Sequence, residues 1–395
     1  MTSPFAKKWP FVNNNSRFAI DERIVISHDP DIRKAFDNLT ESDRRLVELF
    51  KQHDSLLIKP NLVLPRTYAV TNLELIDELC RLGEAHGTKL EIIEFPGLEF
   101  NPNVVENYLQ LKKFTQKYNV RIDLNPKRFK TLHIPGKHLK RISVVEDYLC
   151  KPWINVFKIK THVLSTVTLA IKNTMGILGY DTRQDIHING INKALMDVAG
   201  AFRPAYNLAE GYPAMDGNGP WVGRLRPVNI LVGGTDMTQL DLFLVRNVMK
   251  IRTDKIDYLR GRQAQSQAIG DTALLSEITP FKEPEVSRFY VAAFNSMYLV
   301  DKPFFPLFKR HFNQFLYSSR FFGTKPVIRD KTLVKELNDV CRFGAVDHAN
   351  ARIDYHKCTL CMECVDAHSE AFKITSIARR RFKLSTRGNR PVSEE

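Results

Sequence analysis

The chain has 395 residues, with 58 Lys and Arg against 44 Asp and Glu, so its formal charge is +14. Its 43% hydrophobic content suits a globular core, and no apolar run approaches the roughly 20 residues of a membrane span. The opening MTSPFAKKWPFVNNNSRF lacks the apolar stretch of a secretion signal, which predicts a cytoplasmic protein. The charge favours an anionic partner: an acidic redox protein, a small anionic substrate, a membrane surface or nucleic acid. Nucleic acid is the weakest of these, because the basic residues are not interleaved with aromatics in a known binding module.

Residues 1–50 read as a polar lead-in with helical pieces; LTESDRRLVELFKQH has helical spacing and a cap at Thr40 or Ser42. SLLIKPNLV (55–63) is a short apolar run closed by Pro and Asn, the pattern of a buried strand. TNLELIDELCRLGEAHG (71–87) follows as a helix, with Thr71 to cap it and Gly87 to end it. KLEIIEF (89–95) is the next strand, and strand, helix and strand in that order make a parallel βαβ unit.

The alternation continues with a strand at WINVFKIK (153–160), a helix or half-helix at STVTLAIKNTMGIL (165–178) and a helix at INKALMDVAGAF (191–202). PVNILVGG (227–234) is a strand, and TDMTQLDLFLVRNVMK is another helix. Residues 281–325 are rich in aromatics, and Phe304, Phe308, Phe312 and Phe315 recur at helical spacing. That spacing predicts an apolar face packed on the domain, with a lid over a greasy substrate or a helix on a membrane surface as the competing readings. The fold class is therefore α/β, a mostly parallel sheet with flanking helices over residues 51–280. An aromatic helical segment (281–330), a small cysteine-rich module (331–377) and a basic tail (378–395) follow.

Three polar segments stand where a core would not place them. Lys59 and Asn61 close the strand of the first βαβ unit. Lys158, Lys160, Thr161 and His162 close another strand, and Lys172 and Asn173 follow at helical distance. The third segment, AEGYPAMDGNGP, carries Glu210, Asp216 and Asn218 among glycines and reads as a loop. Cations and Gly-rich backbone at strand ends can hold a phosphate or carboxylate. Lys160, His162 and Lys172 can also lower one another's pKa toward the range useful for proton transfer. The expected roles are catalysis for Lys160, His162, Lys172 and Asp216. Lys59, Asn61, Lys158, Thr161, Asn173, Glu210 and Asn218 are expected to bind the substrate. No Walker loop, G-x-G-x-x-G or G-x-S-x-G occurs.

The six cysteines include a C-x2-C-x2-C run, Cys358, Cys361 and Cys364, with His368 where a bacterial ferredoxin has its fourth cysteine. In two-cluster ferredoxins that fourth cysteine serves the other cluster, so the fourth ligand of this run should lie upstream, and Cys341 fits. Ala345-Val346 and Ile353-Asp354 repeat the ferredoxin pattern that follows such a cysteine, without its proline. The reading is one 4Fe-4S cluster on Cys341, Cys358, Cys361 and Cys364. A structural zinc site, or His368 as fourth ligand, is the alternative.

IKPNLV, KIKTHVLSTVTLAIKNTMG, EGYPAMDGNGP and GGTDMTQLD, in that order, resemble the domain-of-unknown-function 362 (DUF362) family. The resemblance implies an α/β domain whose Lys, His, Asn and Asp motifs gather at one pocket, joined to an iron–sulfur module. Together these readings predict an iron–sulfur oxidoreductase that passes electrons to an anionic substrate or bound cofactor, with an acidic ferredoxin or flavodoxin as partner. A flavin is compatible, but nothing in the sequence indicates one. The alternative is a non-catalytic electron carrier or docking protein.

Overall fold

The run WINVFKIKTH has no polar face that a half-exposed strand would need, and it lies in the interior of the main sheet. In the computed structural model it is buried along nine of its ten residues. The structure describes residues 23–97, 102–220, 222–286, 288–308, 325–338, 340–341, 343–355, 357–358 and 361–375. Among these the strands are, in chain order, β1 (Arg23–His28), β2 (Ser55–Lys59), β3 (Lys89–Ile93), β4 (Val120–Asp123), β5 (Phe129–His133) and β6 (Arg141–Val145). Then come β7 (Trp153–His162), β8 (Thr166–Thr168), β9 (Tyr206–Asn218), β10 (Val222–Arg226), β11 (Ile230–Gly234) and β12 (Gln267–Gly270). Four short strands close the series: β13 (Lys325–Ile328), β14 (Val346–Asp347), β15 (Arg352–Ile353) and β16 (Phe372–Thr375).

Ten strands form one sheet in the order β12-β1-β11-β9-β7-β2-β3-β4, with β10 paired to β9 and β8 to β7. The run from β9 through β7, β2 and β3 to β4 is parallel throughout. β11 is antiparallel to both β9 and β1. The sheet is thus mixed and mostly parallel along its path, with helices packed on both faces. Leu57, Phe157 and Ile159 join one buried apolar cluster, while Ile58, Ile154 and Val156 join another. Alternate residues of β7 feed opposite layers, which is why its sequence is apolar without interruption.

The helix of the first βαβ unit runs Leu73–His86, and Gly87, with φ +70°, ends it in the left-handed conformation as expected. Its cap is Asn72, whose side chain accepts from Glu74 N. Thr71 instead accepts from Asn61 N and donates to the Val156 carbonyl, fastening the segment after β2 to β7. β2 ends at Lys59, because Pro60 has no N–H to extend the ladder.

Several local expectations are corrected. Thr40 and Ser42 lie inside a helix, Ile32–Ser42, capped by Asp31; Asp43 caps the next helix, Arg44–Gln52. β1 pairs with β11 and β12, so residues 23–52 belong to the α/β unit and are not a separate lead-in. STVTLAIKNTMGIL is a short strand, one helical turn at Ala170–Asn173 and a 3-10 turn at Thr174–Ile177. AEGYPAMDGNGP is not a loop but the second half of β9, held by β10 in register from Ala214 to Asn218. Pairing partners on both sides override its turn-rich composition.

The helix Arg288–Phe308 packs on the helix Tyr180–Ile188. Gln184 Nε2 donates to Asp301 Oδ2 at 2.7 Å, and Tyr180 also donates to that carboxylate. Phe312 and Phe315 lie outside the described residues, as does the basic tail. No helix among the described residues is long and apolar enough to cross a membrane.

The C-terminal residues build two small antiparallel pairs, β13 with β16 and β14 with β15, around their own core of Val334, Met362, Val365, Phe372 and Ile374. This unit is seated on the α/β part. Arg66 is buried and forks onto Asp366, with Nε at 2.9 Å and Nη2 at 2.5 Å, while its Nη1 donates to the Pro220 carbonyl. Tyr108 stacks on Phe343 with ring centroids 5.7 Å apart. Arg66→Ala strands a nearly buried carboxylate and is expected to cost about 3–5 kcal/mol. Arg66→Lys should rescue little, because an ammonium cannot fork onto a carboxylate. Limited proteolysis should show residues 325–375 cut faster in both variants; unchanged cleavage would mean that the fork does not hold the unit.

Candidate functional site

Carboxyl ends of parallel strands are where open α/β sheets leave a crevice. Here β2, β3 and β7 end at Lys59, Ile93 and His162, and the segments beyond them line a cavity of about 120 Å³. Lys59, Asn61, Glu94, Lys160, His162, Thr168, Lys172 and Asn173 are in its wall. The helix Tyr180–Ile188 adds Arg183 and His187, and the helix Arg288–Phe308 adds Phe294 and Tyr298.

At the base, Lys59 Nζ donates to Glu94 Oε2 at 2.5 Å and to the Pro60 carbonyl, and neither side chain reaches solvent. Burial pulls both partners toward their neutral forms, Lys59 down and Glu94 up, against their mutual attraction. Gly176 is required here, since a Cβ on it would stand 1.7 Å from Glu94 Oε1 and 2.8 Å from Lys59 Cε. Asn173 ties the floor together. Its Oδ1 accepts from Asn61 Nδ2 at 2.8 Å, and its Nδ2 donates to Asn155 Oδ1 at 2.9 Å. The turn that carries Lys172 and Asn173 is pinned by Asp241, whose carboxylate accepts from Ala170 N and Ile171 N. Burial pushes that carboxyl up to about 8.

Lys160 is buried, and its Nζ donates to Asn61 Oδ1 at 2.7 Å and to the Ala69 carbonyl. Burial, then the charges of Lys172 and Lys158, hold its pKa well below that of an ordinary lysine. His162 is held far below the usual histidine range by burial and then by Lys172 and Lys160. Its Nδ1 accepts from Leu164 N at 3.1 Å, so the proton of the neutral ring is on Nε2. Burial, then Lys172, lowers His187 to about 3. Its ring stacks on Tyr298 at 4.1 Å and 12° and lies 6.1 Å from Phe294. Arg183 donates from Nη1 to the Phe95 and Pro96 carbonyls and lies 4.1 Å over the Phe95 ring. The result is a cationic, proton-carrying floor beneath an aromatic roof.

The structure therefore brings Lys59, Asn61, Lys160, His162, Lys172 and Asn173 together. It does not bring the other five expected residues into the cavity wall. Lys158 is buried in an ion pair with Glu210 at 2.7 Å, and Glu210 also accepts from Asn72 N and Tyr212 N. Asp216 accepts from Arg224 and from Lys282 N; Asn218 accepts from Glu285 N; Thr161 donates to the Gly217 carbonyl. All five fasten β7, β9 and their neighbours. Glu94, Thr168, Arg183, His187, Phe294 and Tyr298 were missed. Glu94 follows an apolar strand just as Lys59 does. Arg183 and His187, like Phe294 and Tyr298, are four apart on a helix and share a face.

Residues 56–246 match the family described as Domain of unknown function (DUF362). The match spans just under half of the chain. It takes in the cavity floor, from Lys59 to Asp241, but not the roof helix Arg288–Phe308 or Cys341, Cys358, Cys361 and Cys364. A second likeness covers more of the chain: Thylakoid-associated protein sll1697 of Synechocystis is 26% identical over 247 residues, 59% of this chain and 74% of that one. The lactate racemase apoprotein from Thermoanaerobacterium thermosaccharolyticum aligns at 12% identity with a TM-score of 0.39. That alignment covers 57% of each chain, and so slight a likeness carries no argument.

Beyond the residues that match DUF362, Cys341, Cys358, Cys361 and Cys364 line one small cavity together with Phe343, Val346, Ile353 and Met362. Ala345 N donates to Cys341 Sγ at 3.4 Å. Burial raises the pKa of Cys364, and the neighbouring Cys361, Cys358 and Cys341 raise it further. A thiol in Cys364's position resists ionising unless a cation joins it. His368 is not in that wall; its Nδ1 is 3.6 Å from Glu370 Oε1 and its carbonyl accepts from Ala371 N and Phe372 N. Cys80 is buried, its pKa pushed up to about 12 by that burial. Among the described residues no group of three His, Cys, Asp or Glu is placed to hold a single metal ion.

Proposed function

We propose that the protein is an iron–sulfur oxidoreductase, in which Cys341, Cys358, Cys361 and Cys364 hold one 4Fe-4S cluster and the cavity above β2, β3 and β7 binds an anionic substrate. The observation that carries this reading is the gathering of Cys341, which lies 17 residues before the C-x2-C-x2-C run, with all three cysteines of that run around one cavity in a unit docked on the α/β part. The fit is one of donor chemistry: four thiols around one cavity, Cys361 and Cys364 buried and Cys341 and Cys358 half-buried, with a backbone N–H on the sulfur of Cys341, suit such a cluster. When bound, the cluster supplies electrons one at a time. An external carrier, an acidic ferredoxin or flavodoxin drawn by the +14 charge, provides each electron. The substrate takes up two electrons and two protons. Protonated Lys160 donates one proton, solvent water supplies the other, and neutral His162 orients the substrate by donating a hydrogen bond from Nε2–H. Lys172 neutralises the anion. Arg66 joins the two halves physically, since it holds both Asp366, two residues after Cys364, and the carbonyl of Pro220, which is in the cavity wall.

The test is reoxidation of the anaerobically reduced protein by small anionic substrates, followed by the visible absorbance of the cluster. Lys160→Ala and His162→Ala should each slow it by on the order of 100-fold or more. In the wild type the rate should fall as pH rises through the lowered pKa of Lys160, well short of the ordinary lysine value, and Lys160→Ala should lose that limb. Unaltered turnover in both variants would leave a carrier whose cavity does no proton chemistry.

A further inference from the structure

The cavity has the size and wall chemistry to select one kind of anion. Resting on the anionic-substrate reading, we propose that it takes a hydroxyl-bearing monocyclic carboxylate of hydroxybenzoate size, ring under Tyr298 and Phe294, carboxylate beside Lys160 and Lys172, hydroxyl donating to Glu94.

Volume is the first argument. An apolar cavity of about 150 Å³ holds one benzene ring, and this one has about 120 Å³. That volume caps the ligand at a single ring, with its polar substituents toward the floor, and excludes a dinucleotide or flavin ring system. The wall is the second. Tyr298 and His187 present a stacked aromatic pair, with Phe294 alongside and Val63, Leu64 and Met175 completing the apolar lining. Such a surface favours a flat ring over a sugar or an inorganic anion. Charge is the third. Lys160 and Lys172 share the wall with one carboxylate, Glu94, which already serves Lys59. A protonated Lys160 uses two of its three N–H groups on Asn61 and Ala69, so one remains for a ligand.

The fourth argument chooses the hydroxyl. Glu94 Oε1 and Thr168 Oγ1 are buried, line the cavity and have no hydrogen-bond partner among the described residues. A buried acceptor left unpaired is costly, and a ligand donor removes that cost. Glu94 also disfavours a dianion, which sets a carboxylate ahead of a phosphate.

Calorimetric titration of the anaerobically purified full chain tests this, with para- and meta-hydroxybenzoate, benzoate, phenol, inorganic phosphate and flavin mononucleotide as probes. A hydroxybenzoate should bind tightest, benzoate and phenol each roughly tenfold or more weaker, and phosphate and the flavin not measurably. Lys172→Gln and Tyr298→Ala should each weaken binding about tenfold, while Tyr298→Phe, which keeps the ring, stays within a few fold. Circular dichroism checks that the variants are folded. The inference is overturned if neither hydroxybenzoate binds, if the flavin or phosphate binds more tightly, or if both variants bind as well as wild type. Iron and sulfide in protein that ignores every carboxylate would sink this inference and leave the cluster standing. Binding to protein without iron would do the reverse.

Discussion

Cys341→Ser protein, purified without oxygen, should hold far less than the about four irons and four acid-labile sulfides of one cubane cluster, whereas His368→Ala should keep the wild-type content. The reason lies in the two side chains' surroundings. Cys341 stands in the same cavity wall as Cys358, Cys361 and Cys364, with Ala345 N–H on its sulfur. His368 turns its ring toward Glu370 and uses its backbone to close the helix Glu363–Ala367. A serine oxygen is a poor substitute for thiolate at iron, so the fourth corner is lost. Visible and electron-paramagnetic spectra of the three proteins follow the same order. Stoichiometric zinc without sulfide in the wild type would falsify the cluster and reduce the C-terminal unit to a structural staple. Equal loss in both variants would point to global fragility of residues 325–375 and not to a specific ligand.

Lys59→Met should destabilise the protein by about 3–5 kcal/mol, because it leaves Glu94 buried without its cation. The double variant Lys59→Met with Glu94→Leu should recover much of that, since two apolar side chains of similar size need no partner. Denaturant midpoints of the two single variants and the double form a cycle that isolates the pair. Gly176→Ala should move in the same direction as the single variants, as its methyl would displace Glu94 Oε1. A loss below about 1 kcal/mol for Lys59→Met is what an exposed ion pair gives, and it would mean that Glu94 protonates or reaches water in the variant. Binding of a carboxylate should fail in Lys59→Met even where the fold survives, because Glu94 and Asn173 both lose the contact that sets them.

The cavity floor was legible from the chain wherever a polar residue followed an apolar run. Lys59, Asn61, Lys160 and His162 follow strands that the hydrophobic pattern defines, and strand ends are where α/β sheets place polar side chains. The same logic failed at AEGYPAMDGNGP. Its glycines, proline, Asn and Asp speak for a turn, but β7, β10 and β11 supply hydrogen-bond partners along it, and its acidic residues are consumed by Lys158 and Arg224. Local composition reports the preference of an isolated segment. It does not report which cation waits on the neighbouring strand.

The chain by itself determined the alternation of strand and helix, the parallel βαβ start, the strand-end lysines and the cysteine spacing with its candidate fourth ligand. These follow from periodicity and from ligand geometry, which act over a few residues. Only the tertiary structure decided that β1 joins the sheet and that Lys158, Glu210 and Asp216 are fastenings. It also decided that Glu94 completes the floor and that a helix from residues 288–308 roofs the cavity with Phe294 and Tyr298. It seated the cysteine unit through Arg66. Each of these pairs residues tens to hundreds of positions apart, and burial decides them: a charge removed from water must find the partner that the fold, not the local sequence, brings to it.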